Sequence, residues 1–302
     1  KRFRHVLSSE TDVLSIDFIS ARKGVFHGVL QETVLACFRN LKTDNSKAMS
    51  ATIHIDARQN YVVTENGECA IEPSMDTPWL IPRDAEQAVL LRDSEDNFSY
   101  LKDYGYSVST GPLVWNRHKL QLRERKQKGA FPLIWADSIS SDGRFVLKPH
   151  KKNRPRWVML EFSREKHLLC NVPCLLMKRT TAMEQTNRLN VAIVGKNILQ
   201  RFGGVSVENH LNIIRPKDGA EPQISLETLR FILMSRPIDK VFRAMNGSVA
   251  VSAYELNALR LPNLRFAKML DQAIQSGAKK AQLDKMIDIA YSSTKLSDMH
   301  AA

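Results

Sequence analysis

The 302-residue chain holds no apolar run approaching the roughly 20 residues that a membrane-crossing helix needs. Its first residues, Lys1-Arg-Phe-Arg4, lead into a polar stretch and lack the apolar core of a secretory signal. There is no initial Met, which reads as a processed or trimmed end. Cysteine is scarce: Cys37, Cys69, Cys170 and Cys174. Cys170-Asn-Val-Pro-Cys174 is a C-x3-C pair with no second pair to complete a zinc site. Strand-like apolar neighbours predict buried, reduced thiols, as in a cytoplasmic protein. The acid cluster Asp93, Glu95, Asp96 lacks the Gly-turned loop of a calcium site and reads as a solvated loop. No metal ligand set is expected. Glu208-Asn-His-Leu-Asn212 sets a His near a carboxylate, but no G-x-S-x-G nucleophile motif accompanies it. A hydrogen-bonded structural His210 follows, not a hydrolase site.

What the chain does have is positive charge in one place. Residues 111–190 carry 17 Lys/Arg against 6 Asp/Glu, a local net of +11, while the whole chain is +12. Residues 61–110 carry 3 Lys/Arg against 10 Asp/Glu, a net of −7. Apolar runs such as Trp157–Leu160 and Leu175–Met177 interrupt the basic block, so it reads as a folded surface and not a tail. The pattern ranks nucleic acid first among polyanionic partners and leaves an acidic protein as a further reading; no membrane partner is expected.

Candidate contacts follow from side-chain chemistry. In Thr110-Gly-Pro-Leu-Val-Trp-Asn-Arg-His-Lys119, the turn at Gly111-Pro112 lets Val114 and Trp115 pack while Asn116, Arg117, His118 and Lys119 project. Asn and Arg suit base edges; Lys and His more often fix phosphates. The loop Lys148–Arg156, stiffened by two prolines, offers Lys151, Lys152 and Arg154 to the backbone. Lys178-Arg179-Thr180-Thr181 follows a strand and sets cations beside hydroxyls. Ser248, after Gly247, can approach a phosphate closely. For any one of these residues a solvated turn is the plainer alternative.

Periodicity organises the rest. Val13–Ile19, Thr33–Phe38 and Ala51–Asp56 read as strands, the last two as an antiparallel hairpin, with Thr33–Phe38 covered on both faces. Asp84–Asp93 is a short helix. Phe131–Ser138, Arg144–Leu147 and several later segments are short strands, with a hairpin turn at Asp142-Gly143. From Ser225 the spacing turns helical: Ser225 is a candidate N-cap, and Ile238–Met245, Ser252–Leu259, Leu264–Ile274 and Ala281–Tyr291 follow, with a break at Gly277.

Arg22–Arg39, Thr110–Lys119, Pro132–Asp137 with Asp142–Phe145, Arg179–Thr181, Gly203–Asn212 and Ser248–Pro262 form an ordered set of loose motifs. That set resembles the C-terminal half of bacterial adenine-N6 DNA methyltransferases from restriction–modification systems. The resemblance spans about residues 10–265. It implies an α+β chain: a partial methyltransferase sheet at the N-terminus, a mixed β-rich DNA-recognition domain and a helical C-terminal region. Residues 1–57 would be the last strands of a catalytic domain, 58–109 a connecting segment, 110–265 the target-recognition domain and 266–302 a helical tail.

The resemblance implies methyl transfer from S-adenosylmethionine to the adenine amino nitrogen in the full-length enzyme. It also implies that Phe26, on the loop Lys23–Gly28, stacks on an extruded adenine; a buried loop anchor is the other reading of that ring. Two family features are missing. Each Pro stands alone, so there is no Asn-Pro-Pro-Tyr motif, and Gly203-Gly204 lacks G-x-G spacing. No catalytic residue and no cofactor are therefore assigned to this chain, which should not methylate alone. The implied partners are double-stranded DNA, an N-terminal methyltransferase half upstream of Lys1 and a restriction endonuclease, fused or separate. A stand-alone specificity subunit without catalysis is the alternative.

Overall fold

A short helix, α1 (Arg2–Glu10), leads into a four-stranded sheet made of β1 (Asp12–Ile19), β2 (Thr33–Arg39), β3 (Lys47–Ile55) and β4 (Tyr61–Ala70). The computed structural model describes residues 2–291 apart from 22–24, 27–31, 41–42, 44–45, 57, 59, 72, 76, 93–97 and 149–153. The strand order is β2-β1-β3-β4. This corrects the expected hairpin between β2 and β3. β1 lies between them, antiparallel to β2 and parallel to β3, while β3 forms its hairpin with β4. The reason is burial. β1 carries Val13, Ile16 and Phe18, all buried, and an interior place hydrogen-bonds both its edges.

β2 is left at the edge, and Val34, Leu35 and Phe38 are exposed rather than covered on both faces. Cys37 is exposed with them, whereas Cys69, Cys170 and Cys174 are buried as expected. The sheet also continues past residue 57, through β4 to Ala70.

The chain goes on through α2 (Ala85–Leu91), β5 (Phe98–Ser99), β6 (Tyr106–Thr110), β7 (Leu122–Arg123), β8 (Ala130–Ile134) and β9 (Trp157–Met159). Next come α3 (Phe162–Glu165), β10 (Leu169–Cys170), β11 (Cys174–Lys178), β12 (Val191–Val194), α4 (Lys196–Phe202), β13 (Val205–Val207) and β14 (Leu211–Pro216). Helices α5 (Leu226–Leu233), α6 (Arg236–Met245) and α7 (Ala253–Asn257), strand β15 (Leu261–Pro262), and helices α8 (Leu264–Gln275) and α9 (Lys280–Ala290) follow. The architecture is α+β.

An antiparallel sheet, β12-β11-β14-β6, is the middle layer. Its strands alternate between two cores, as a period of two requires. Leu175 and Met177 of β11, Val191 of β12 and Ile214 of β14 join the helical core with Leu229, Ile232, Phe242 and Leu270. Cys174, Leu176, Ala192, Val194, Leu211 and Ile213 face the opposite way, onto Ile134, Val205 and Val207 of the second sheet, β10-β13-β8-β9-β7. Arg144–Leu147, expected as a strand, reduces to one bridge, Ile139 to Phe145, around a turn at Gly143 (φ +74°). A β-carbon there would lie 2.6 Å from the Val191 carbonyl oxygen, so the turn needs glycine.

Local chemistry starts the helices. Asp84 caps α2, Ser225 caps α5, Asn263 caps α8, and Ser252 with Glu255 forms a capping box on α7. Gly277 at φ +79° separates α8 from α9. Both helices dock back: Phe266, Ala267, Leu270, Leu283, Ile287 and Tyr291 belong to the same core as Phe242. Among the described residues no helix is long and apolar enough to cross a membrane.

Asp271 of α8 ties this layer together. Its Oδ1 accepts the Ser225 N–H at 3.0 Å and the Ser225 and Thr228 hydroxyls at 2.6 Å. Burial pushes its carboxyl up, but these bonds outweigh it and hold the pKa below the usual 3.8. A depressed folded pKa means the stabilisation is present above 3.8 and is lost as pH falls through the folded value. Asp271→Ala should therefore cost about 1–3 kcal/mol at neutral pH. Denaturant midpoints should show that gap shrinking only below pH 3.8.

Candidate nucleic-acid interface

Strand register gathers the basic segments onto one rim. Lys178 at the end of β11 pairs with Leu211 at the start of β14, and Asn212 pairs with Thr110 at the end of β6. Three loops therefore leave the middle sheet on the same side, 111–121, 178–181 and 208–210, and the α6–α7 loop, 246–251, joins them. The last is stitched to the second by a bridge from Thr180 to Ala250 and by the Thr181 N–H on the Val249 carbonyl at 2.9 Å. The Val251 N–H on the Arg179 carbonyl at 2.8 Å continues that pairing.

Gly111 opens the first loop because backbone passes close by. Its N–H donates to Leu211 at 2.8 Å, and a β-carbon would lie 2.3 Å from the Glu208 carbonyl oxygen. Two single 3-10 turns follow, Trp115–Arg117 and Lys119–Gln121. Trp115 packs on Trp135 with ring centres 6.3 Å apart, and the Lys119 ammonium lies 5.6 Å from the Trp115 ring centre. Packing on one face leaves Asn116, Arg117 and Lys119 exposed on the other. His118 behaves differently. Its Nδ1 lies 2.7 Å from Gln121 Oε1 and 3.5 Å from Glu165 Oε1, so the ring braces α3.

Lys178 and Arg154 meet through a shared carboxylate. Asp137 receives both Arg156 guanidinium nitrogens, at 2.9 and 2.8 Å, and lies 3.3 Å from Arg154. Burial lowers the Lys178 pKa, and attraction to the same Asp137 opposes that. Arg156 is buried and Arg154 half open to solvent, so one cation anchors the loop while the other faces outward. Lys151 and Lys152, in the same loop, lie outside the described residues.

Arg179 is half-buried, and its Nη1 donates to the Asn209 carbonyl at 2.7 Å, holding the neighbouring turn. Thr180 and Ser248 are exposed. The Ser248 hydroxyl accepts the Ala250 N–H at 3.2 Å, and its carbonyl accepts Arg188 Nη2 at 2.6 Å.

Phe26 is 58% exposed, which removes the buried-anchor reading. It sits on the β1–β2 connection, whose far end reaches the rim. A β-carbon on Gly247 would overlap the Glu32 carboxylate, which also pairs with Arg83. Gly203-Gly204 ends α4 in left-handed backbone, and Gly204 lies against Leu169 and Cys170.

The sequence does not single out the Asp137 carboxylate, whereas the hydrogen-bonded His210 expected from Glu208–Asn212 is found. The His two residues after Glu208 was visible; its place between β13 and β14 on the rim was not.

No family model matches the sequence. Over 278 residues, 87% of the chain and 52% of the relative, it is 24% identical to the Type II methyltransferase M.BsuBI of Bacillus subtilis. Over 292 residues, 95% of the chain and 57% of the relative, it is 25% identical to the Type II methyltransferase M.PstI of Providencia stuartii. The chain thus spans about half the length of these curated relatives. Among solved structures, the type IIG restriction endonuclease BpuSI aligns over 95% of the chain and 39% of its own, at 8% identity and a TM-score of 0.36. A type I restriction–modification assembly aligns over 67% of the chain and 47% of its own, at 10% identity and a TM-score of 0.30. In sequence the chain is thus similar to two Type II methyltransferases, over about half the length of each.

Proposed function

We propose that this chain is the DNA-binding and target-recognition part of a site-specific adenine-N6 DNA methyltransferase. One observation carries the reading: the register of the middle sheet collects Asn116, Arg117, Lys119, Lys178, Thr180 and Ser248 on a single rim. Cations and hydroxyls sharing one rim can follow a phosphate backbone, while Asn116 and Arg117 are of the types that read base edges. Lys151, Lys152 and Arg154 extend the grip, and His118 and Arg179 shape the loops. Phe26 receives an extruded adenine on its exposed ring.

The catalytic half belongs to a separate or longer chain and docks on the N-terminal sheet. Val34, Leu35, Phe38, Met49 and Tyr61–Val63 are exposed there, an apolar surface of the kind that a folded partner covers. That half supplies the S-adenosylmethionine loop and the Asn-Pro-Pro-Tyr grip, neither of which this chain has. A restriction endonuclease is the further partner of such a system.

Fluorescence anisotropy against salt tests the first point. Duplex affinity should fall steeply, with a log–log slope of about −0.9 per phosphate contact. The double variant Arg117→Ala, Lys119→Ala should bind less tightly; unchanged affinity removes that loop from the interface, and a flat slope removes DNA altogether. For docking, co-expression with a half bearing Asn-Pro-Pro-Tyr should give a co-purifying complex. Leu35→Glu should break that complex and leave duplex affinity intact; a complex indifferent to Leu35→Glu places the contact elsewhere. In the reconstituted enzyme, Phe26→Ala should lower the fluorescence rise of 2-aminopurine at the target position, and no change excludes the ring from base extrusion.

A further inference from the structure

The rim contains an arrangement that phosphate binding does not require. Glu208, directly after β13, is wholly buried. Its carboxylate accepts the His210 backbone N–H at 2.9 Å and the His210 Nδ1–H at 2.7 and 2.9 Å. The ring it holds is 63% exposed. Burying a carboxylate is costly unless its oxygens are occupied, and these bonds all belong to one residue. With the proton drawn to Nδ1, the imidazole has a set tautomer and presents Nε2 outward as an acceptor.

The backbone beneath the ring is equally constrained. The Asn209 N–H donates to the Leu113 carbonyl at 3.0 Å, and the Asn209 carbonyl accepts Arg179 Nη1 at 2.7 Å. The His210 carbonyl accepts the Arg179 N–H at 3.0 Å. Loop 111–121, loop 178–181 and the His210 turn are thereby one hydrogen-bonded unit. The same unit contains polar atoms that are buried and unpartnered among the described residues: Arg179 Nε, Asn209 Oδ1 and Asn212 Oδ1. Asn212 is itself wholly buried and uses its Nδ2 on the Val251 carbonyl at 2.9 Å.

Phosphate contacts tolerate long, mobile side chains; reading a base edge needs a donor or acceptor held in direction. We infer that His210, oriented by Glu208, is a base-edge contact that sets target preference, its Nε2 accepting from the amino group of an adenine or cytosine. Glu208 acts through it as a positioning residue. The assignment rests on the DNA-recognition reading and goes beyond it by naming a specificity determinant.

Selection from a randomised duplex library with the full chain tests it, using the native sequence, His210→Ala and Glu208→Gln. The native chain should enrich a short consensus. His210→Ala should lose about tenfold of the preference at one base pair, keep the other positions, and leave the salt slope unchanged. Glu208→Gln should lose part of the preference at that same base pair, which a purely structural role would not produce. His210→Ala takes the imidazole partner from the buried Glu208 carboxylate, so its unfolding midpoint should fall; the retained consensus positions and salt slope then show that the variant is still folded.

An unaltered consensus with His210→Ala overturns the assignment while the DNA reading stands. Uniform weakening across all sequences, with a salt slope shallower by about one, also overturns it and makes His210 a phosphate contact. A native chain that enriches nothing and binds duplex with a flat slope overturns both.

Discussion

A wholly buried guanidinium organises the junction on which the rim depends. Arg188 donates Nε to the Thr181 hydroxyl at 3.0 Å and Nη2 to the Ser248 carbonyl at 2.6 Å, and its backbone N–H donates to Asp239 at 2.5 Å. Burial and the neighbouring Arg243 pull its pKa down, while Asp239 and Glu255 support the charge. Such a cation persists in an interior only when its donors are used, so segments that share it are held in one arrangement. Here those segments are the end of loop 178–181, the 246–251 loop and helix α6. Phe242 lies beneath the guanidinium, 5.4 Å from its carbon, so the polar junction rests directly on the helical core.

The N-terminal sheet attaches to the same place through a second guanidinium. Arg83 lies 4.1 Å above the Phe18 ring centre, donates Nε to the Arg243 carbonyl at 2.9 Å and pairs with Glu32. The Ile81 N–H donates to the Ala244 carbonyl at 3.0 Å, and Glu86 of α2 pairs with Lys240 and Arg236 of α6. These contacts are polar and local, whereas the middle sheet is held by apolar burial on both faces. The end of the β1–β2 connection is thereby set beside the 246–251 loop. The connection that carries the exposed Phe26 and the rim of basic loops therefore meet at Glu32 and Gly247.

The helical region was the most legible part of the fold, since its signals are local. Ser225, Ser252 and Gly277 act within a turn of the chain, and each does what its residue type predicts. Strand pairing was legible only in part. Hydrophobic runs located most strands, but β1 entering between β2 and β3 depends on which strand has most to bury in three dimensions. The same limit applies to the site. Residue chemistry picked out Arg117, Lys178 and Arg179 equally. The structure distinguishes an outward Arg117 from an Arg179 whose guanidinium holds the Asn209 turn. His118 looked like a phosphate contact and instead braces Gln121 and Glu165, because its ring faces α3.

By itself the sequence determined the α+β class, the concentration of positive charge in residues 111–190 and the helix ends. All three are set by composition or by contacts a few residues apart. Only the tertiary structure decided that the loops 111–121, 178–181 and 208–210 share one rim. That follows from the antiparallel register of β6, β11 and β14, and a register is a property of paired strands. The burial of Glu208 beneath an exposed His210 was decided in the same way, since it exists only where β13 and β14 turn against loop 111–121.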